Sequence, residues 1–282
     1  MNFADKLAFA TQKNNSLLCI GLDPDPELMP SGIDIISFNK AIIDATCDLV
    51  CAYKLNFAFY EAIEDDGLEA LKLVVQYIPH DVPIIGDAKR GDIGNTAKAY
   101  AKSIFVNYNF DATTVNPYLG FDSIEPFIQY KDKGVFILCR TSNVSAADFQ
   151  SLHCELEYLP ELHSESIYRP LFEIVALKVR SWNIYGNLGL VVGATYPDDL
   201  KLLRDIHPEI PILIPGIGTQ GGDLASAVRY GVNSQGQRAI INSSRQIIYA
   251  SREKDFAQSA RSAALLMRNQ INYYLSASTS SP

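Results

Sequence analysis

The sequence has little of what would mark a secreted, membrane-spanning or nucleic-acid-binding chain. Its five cysteines (Cys19, Cys47, Cys51, Cys139, Cys154) are an odd number without framework spacing, which excludes a disulfide scaffold and fits a reducing compartment. Cys47 and Cys51 stand four apart, but no second Cys or His pair completes a zinc tetrahedron, so they read as buried thiols. No apolar run approaches the roughly 18 residues of a membrane span. Met1 to Leu7 lacks a basic segment followed by an apolar one, so no secretory leader is expected and the chain reads as cytoplasmic. Basic residues number 24 against 32 acidic ones, a net charge of −8 with no basic stripe. Nucleic acid is therefore a poor partner, and a phosphorylated ligand must be held by local donors. The four histidines (His80, His153, His163, His207) fall in segments read as loops or helix ends. A His-based nucleophile triad or metal site finds no support there.

Apolar residues make up 48% of the 282, enough for a sizeable core. Short apolar runs alternate with helical periodicity. Strands are predicted at 17–21, 52–56, 84–89, 112–116, 135–140, 189–193, 212–215 and 239–242. Their near-continuous apolar character fits parallel strands covered on both faces. Eight strand–helix alternations predict a (β/α)₈ TIM barrel as one domain over residues 1–275, with 276–282 a flexible tail. An open doubly wound sheet is the alternative. It would normally place Gly-x-Gly-x-x-Gly after the first strand, where this chain has Gly21-Leu22-Asp23-Pro24-Asp25-Pro26. The long connection 143–166 is expected to cover the site as a mobile loop.

The densest chemistry is in Gly86-Asp87-Ala88-Lys89-Arg90-Gly91-Asp92, after the apolar Pro83-Ile84-Ile85. Asp87 and Lys89 are two apart and share a face of an extended strand. Burying charge costs several kcal/mol per ion unless partners offset it. Lys54 on the neighbouring strand supplies one, and the set Lys54, Asp87, Lys89 and Asp92 sums to zero. Each residue taken alone has a plainer reading: Asp92 as a helix N-cap, Lys54 as a snorkelling surface amine, Asp87 with Lys89 as a structural ion pair. Their joint occurrence at predicted strand ends favours a site, since barrels react at that end. The glycine-rich turn Pro215 to Gly222, with Gln220, lies beside Arg245 after the eighth strand. The two form a candidate phosphate cradle.

These segments are similar to the orotidine 5′-monophosphate decarboxylase family, in its second subgroup. The family signature Asp-x-Lys-x-x-Asp is Asp87-Ala88-Lys89-Arg90-Gly91-Asp92, and the likeness continues through Ile93-Gly94-Asn95-Thr96. Cys19 to Pro24, Tyr53 to Asn56, Thr141 to Asn143 and the Pro215 to Gly222 loop resemble further family segments. The resemblance implies conversion of orotidine 5′-monophosphate to UMP and CO₂ in pyrimidine biosynthesis, with C6 protonated by a lysine and neither metal nor organic cofactor. It implies that Lys54, Asp87, Lys89 and Asp92 form the catalytic array. Asp23 and Thr96 would bind ribose, Ser142 the pyrimidine edge, and Gln220 with Arg245 the phosphate. It also implies a homodimer in which Asp92 and Thr96 reach the partner's site. Gln237 to Ser244 departs from the Gly-Arg pairing of related enzymes.

Three other readings share some of these features. A metal-dependent sugar-phosphate enzyme would need Asp87 and Asp92 as ligands, against the repulsion of the lysine between them. A Schiff-base aldolase would need a neutral lysine, which flanking carboxylates oppose. A nucleotide-sensing module would need the phosphate cradle but not the charged array.

Overall fold

The computed structural model describes residues 1–156, 167–218 and 222–279. Ten strands occur among them: β1 (Leu18–Gly21), β2 (Ala52–Asn56), β3 (Ile84–Arg90), β4 (Ala112–Val115), β5 (Gly134–Arg140), β6 (His153–Leu156), β7 (Ile167–Pro170), β8 (Leu188–Val192), β9 (Ile212–Ile214) and β10 (Ala239–Ser243). Eight of them close a parallel barrel in the order β1-β2-β3-β4-β5-β8-β9-β10, with β10 returning to β1. The eight predicted strands are these eight, each within a residue or two of its expected bounds. The antiparallel pair β6–β7 lies outside the barrel, in the excursion after β5.

The alternation of each strand sorts its side chains into two packings. Cys19, Ala52, Ile85, Ala112, Phe136, Val191, Leu213 and Ile240 point inward and form one buried cluster. Their outward neighbours, such as Ile20, Tyr53, Ile137 and Ile241, pack under the surrounding helices in a second, larger cluster. Small inward residues make room for one large one. A Cβ on Gly189 would lie 2.6 Å from the Phe136 ring, so that strand carries glycine there.

The N-terminal helix Phe3–Asn14 stoppers the lower rim. Phe3 meets Phe136 edge-on with centroids 5.7 Å apart, and Gly134 leaves space for its ring. Lys6 Nζ donates to Asp111 Oδ2 at 2.7 Å and the Ile84 amide donates to the same oxygen at 2.9 Å, fixing the plug to the foot of β3. The last helix, Phe256–Thr279, packs on helix Ile35–Thr46 and β1. Ser276 to Thr279, expected in a tail, continue this helix; 280–282 lie outside the described residues.

Strand β3 is irregular where the charges begin. Gly86 pairs with Thr113 but Arg90 with Val115, so four steps along β3 match two along β4. This bulge turns Asp87 and Lys89 into the barrel mouth, while Ala88 packs against the outer core. Lys89 has φ +48°, the left-handed region that a side chain other than glycine occupies at a cost of about 1–3 kcal/mol.

Candidate active site

Above the inner cluster the barrel opens into a cavity of about 820 Å³ at the carboxyl ends of the strands. Its lower wall is apolar, from Leu138, Val191 and Leu213. The β1–β3 side carries charge, and the β9–β10 side carries the glycine-rich turn and Arg245.

The charged side is a connected array. Lys54, on inward-facing β2, is buried, with Nζ 3.1 Å from Asp87 Oδ2 and 3.7 Å from Asp23 Oδ1. Lys89 Nζ donates to Asp87 Oδ1 at 2.7 Å, and its side chain is half exposed to the cavity. Asp23 Oδ1 also accepts from the Asn56 amide at 3.2 Å. Two carboxylates and two ammonium groups thus sum to zero. The neutral set contains Asp23 in the place expected for Asp92.

Burial disfavours the charged forms of these groups, and their mutual contacts reverse that tendency. Burial pushes the Asp87 carboxyl up, but Lys54 and Lys89 hold it well below the usual carboxylate range. Burial pushes the Lys54 ammonium down, and Asp23 and Asp87 more than offset it, so Lys54 titrates above an ordinary lysine. A protonated Lys54 is a cation in the array, not an amine nucleophile. Beneath it, burial raises the Cys19 thiol to about 12 and keeps it neutral.

Local backbone features shape the rim. Ser244 Oγ lies 1.8 Å from where a Cβ on Gly21 would stand, so only glycine lets β10 reach across the end of β1. Tyr249 Oη donates to the Asp23 carbonyl at 2.9 Å and accepts from the Asp25 amide at 2.6 Å, tying down the turn that presents Asp23. Ser142 lines the cavity where β5 ends, and Gly193 lets its backbone approach: a Cβ there would lie 2.7 Å from the Ser142 Cα. Arg245 lines the opposite side at the start of helix Arg245–Ile248. In the facing turn, Gly216 (φ +97°) and Gly218 (φ +84°) adopt left-handed backbone, and the Gly222 amide donates to the Gly216 carbonyl at 3.2 Å. Gln220 lies outside the described residues.

The structure gathers Asp23, Lys54, Asp87, Lys89, Ser142 and Arg245 around one cavity. It does not bring Asp92 or Thr96 to that cavity within this chain. Asp92 follows the bulge and accepts from the Ile93 amide at 2.8 Å; the cap of helix Gly94–Lys102 is Ile93, so the N-cap reading of Asp92 is not realised. Thr96 is exposed on that helix. The expected covering segment is partly built: a 3₁₀ turn at Val144–Ala146, helix Ala147–Gln150 and β6, with 157–166 outside the described residues.

Four site residues escaped the sequence reading. Thr114 on β4 bonds both Asp87 and Lys89. Gln150 reaches back from the covering segment to the Thr141 amide (2.9 Å) and hydroxyl (2.8 Å). Gln246 lays its carboxamide over Gly218. Asn242 faces inward two residues above Ile240, and its buried Oδ1 has no hydrogen-bond partner. Alternation along β4 and β10 was the available signal for Thr114 and Asn242.

The profile of the orotidine 5′-phosphate decarboxylase / HUMPS family matches residues 16–260. The chain belongs to that family. An orotidine 5′-phosphate decarboxylase of Dehalococcoides mccartyi is 53% identical over 274 residues, spanning 97% of this chain and 98% of that protein. One from Ralstonia nicotianae is 48% identical over 281 residues, spanning 97% and 99%. The solved OMP decarboxylase of Leishmania donovani superposes with a TM-score of 0.82 at 36% identity, over 98% of this chain and 99% of that one. Among the described residues no helix is long and apolar enough to cross a membrane.

Proposed function

We propose that this chain decarboxylates orotidine 5′-monophosphate to UMP and CO₂, with residues 1–275 acting as one catalytic domain. The Asp23–Lys54–Asp87–Lys89 array at the mouth of a family barrel carries the reading. The substrate carboxylate would lie against Asp87. The C6–carboxylate bond breaks with its electron pair left on C6, CO₂ departs, and Lys89 Nζ gives a proton to C6 as the general acid. Solvent then reprotonates Lys89.

Magnitudes rank these contributions. Two unit charges about 4 Å apart at an effective dielectric near 20 interact by roughly 4 kcal/mol, or about three powers of ten in rate. Enzymatic accelerations reach about 23 kcal/mol and more, so repulsion from Asp87 is a minor part. Stabilisation of the developing carbanion by the Lys89 ammonium contributes more. The remote phosphate, held by Arg245, Gln220 and the glycine-rich turn, supplies binding energy for closure and desolvation. Asp23 and Thr96 are assigned to ribose and Ser142 to the pyrimidine edge. Neither a metal nor an organic cofactor enters: protonated lysines stand between the carboxylates that a cation would need.

The test is loss of orotidylate absorbance on adding purified protein in EDTA. Lys89→Ala is expected to abolish that loss while UMP still binds. Turnover by Lys89→Ala, or none by the wild type, refutes the reading.

A homodimer completes this proposal, with Asp92 and Thr96 serving the partner's site. Supporting it, Ile93, Tyr118 and Leu119 expose apolar surface around the β3 and β4 exits, near two polar residues that their own cavity does not use. Mixing inactive Lys89→Ala and Asp92→Ala proteins under subunit exchange should restore about a quarter of wild-type sites. No recovery would show that each site is made by one chain.

A further inference from the structure

Thr114 holds both ends of the proton-delivering lysine's local circuit. It sits on β4, two residues above the inward Ala112, and is 2% exposed. The Lys89 amide donates to Thr114 Oγ1 at 3.0 Å, and Thr114 Oγ1 donates to Asp87 Oδ1 at 2.9 Å. The direction of the second bond is fixed by the ionised Asp87 carboxylate, which can only accept. A backbone N–H can only donate, so the hydroxyl accepts there and has its one proton left for the carboxylate. Asp87 Oδ1 also accepts from Lys89 Nζ at 2.7 Å. The bonds close a ring: Lys89 amide, Thr114 hydroxyl, Asp87 carboxylate, Lys89 ammonium.

That ring falls where the β3–β4 ladder is interrupted. The extra residues between Gly86 and Arg90 remove the regular pairing, and Lys89 takes its left-handed φ there. A side-chain hydroxyl therefore does what a ladder carbonyl does elsewhere in the strand: it accepts the amide of the bulged residue.

We propose that Thr114 is a positioning residue for Lys89, its hydroxyl fixing the bulge and the Asp87 rotamer so that the ammonium points at the reacting carbon. The inference rests on the decarboxylase reading of the site. The hydroxyl touches no reacting atom; it acts through Lys89 and Asp87. Misplacing a reacting group by about 1 Å costs up to roughly 100-fold in rate.

The test uses two variants of the full chain. Thr114→Val keeps the branched shape and removes the hydroxyl; Thr114→Ser keeps the hydroxyl. For Thr114→Val, kcat is expected to fall roughly 10- to 100-fold while KM and the UMP inhibition constant stay within about threefold. Thr114→Ser is expected to retain most of kcat. A packing role would instead give a smaller loss in Thr114→Val than in Thr114→Ser, because valine preserves the volume. An unchanged kcat in Thr114→Val, or an equal loss in Thr114→Ser, overturns the proposal. A crystal structure of Thr114→Val supplies the second readout, with Lys89 Nζ expected beyond 4 Å from Asp87 Oδ1; an undisturbed ion pair overturns the proposal. This structural readout stands even if wild-type protein leaves orotidylate intact, an outcome that would sink the reaction alone.

Discussion

Replacing Lys54 with Met removes the buried cation of the charged quartet while keeping most of the side-chain volume. At an effective dielectric near 20, the 3.1 Å contact with Asp87 and the 3.7 Å contact with Asp23 are worth about 5 and about 4 kcal/mol in gross attraction. Desolvation of the ammonium offsets much of that, and breaking a buried pair leaves a net loss of about 3–5 kcal/mol. At roughly 2–4 °C per kcal/mol, the melting temperature should fall by roughly 6–20 °C at neutral pH. The pH dependence carries the diagnosis. In the wild type, Asp87 is held below its usual range. Its stabilising contribution is therefore present above the unfolded carboxylate value near 3.9, and is lost as pH falls through the folded value. In Lys54→Met, Asp87 takes up a proton more readily, which relieves the uncompensated charge. The deficit should thus be full at pH 7, shrink between about pH 5 and 3, and persist upward until Lys54 itself titrates in the wild type. Lys54 titrates above an ordinary lysine, so that upper limit lies beyond about pH 10. Scanning calorimetry of both proteins across pH 3.5 to 9 measures this. A deficit below about 2 °C, or one that does not vary with pH, would refute the view that Lys54 exists to balance two carboxylates.

Arg245→Ala should raise KM for orotidylate and lower kcat/KM with little change in melting temperature, since Arg245 is exposed at the cavity rim; an unchanged KM in steady-state assays would remove it from the phosphate cradle. His207 is buried, and burial lowers its proton affinity, while its ring nitrogen meets the Ala176 carbonyl at 2.8 Å. The unfolded chain therefore binds more protons below about pH 6.5, so His207 makes stability fall as pH drops from 7 to 5. His207→Gln should flatten that slope in thermal melts; identical slopes would show that other groups govern it.

The barrel was legible because its strands are apolar on both faces, so each of the eight stood out as a short continuous run. The charged residues were legible because, although each alone has a structural reading, several charges of both signs gathered at the ends of such runs do not. What sequence could not show came from neighbours in space. Asp87 and Lys89 read as one face of a regular strand with Asp92 following it into the same site, yet the bulge turns the first two into the cavity and leaves Asp92 outside it, while Asp23 joins the array from the end of β1. Thr114 lies in Ala-Thr-Thr-Val, which reads simply as a β-prone strand; only the adjacent bulge gives its hydroxyl work to do. The β6–β7 pair was hidden because two four-residue strands separated by a long span carry no clear alternation.

Among the described residues, the Phe3 plug fills the foot of the barrel, so the cavity opens at the other end. On the decarboxylase reading, gas, nucleotide and proton would share the rim where Ser142, Arg245 and Lys89 stand, and the order in which cargo leaves would be set by whatever rests on that rim. A carbon dioxide molecule formed beneath a bound nucleotide would then leave by the same loosening that frees the larger product.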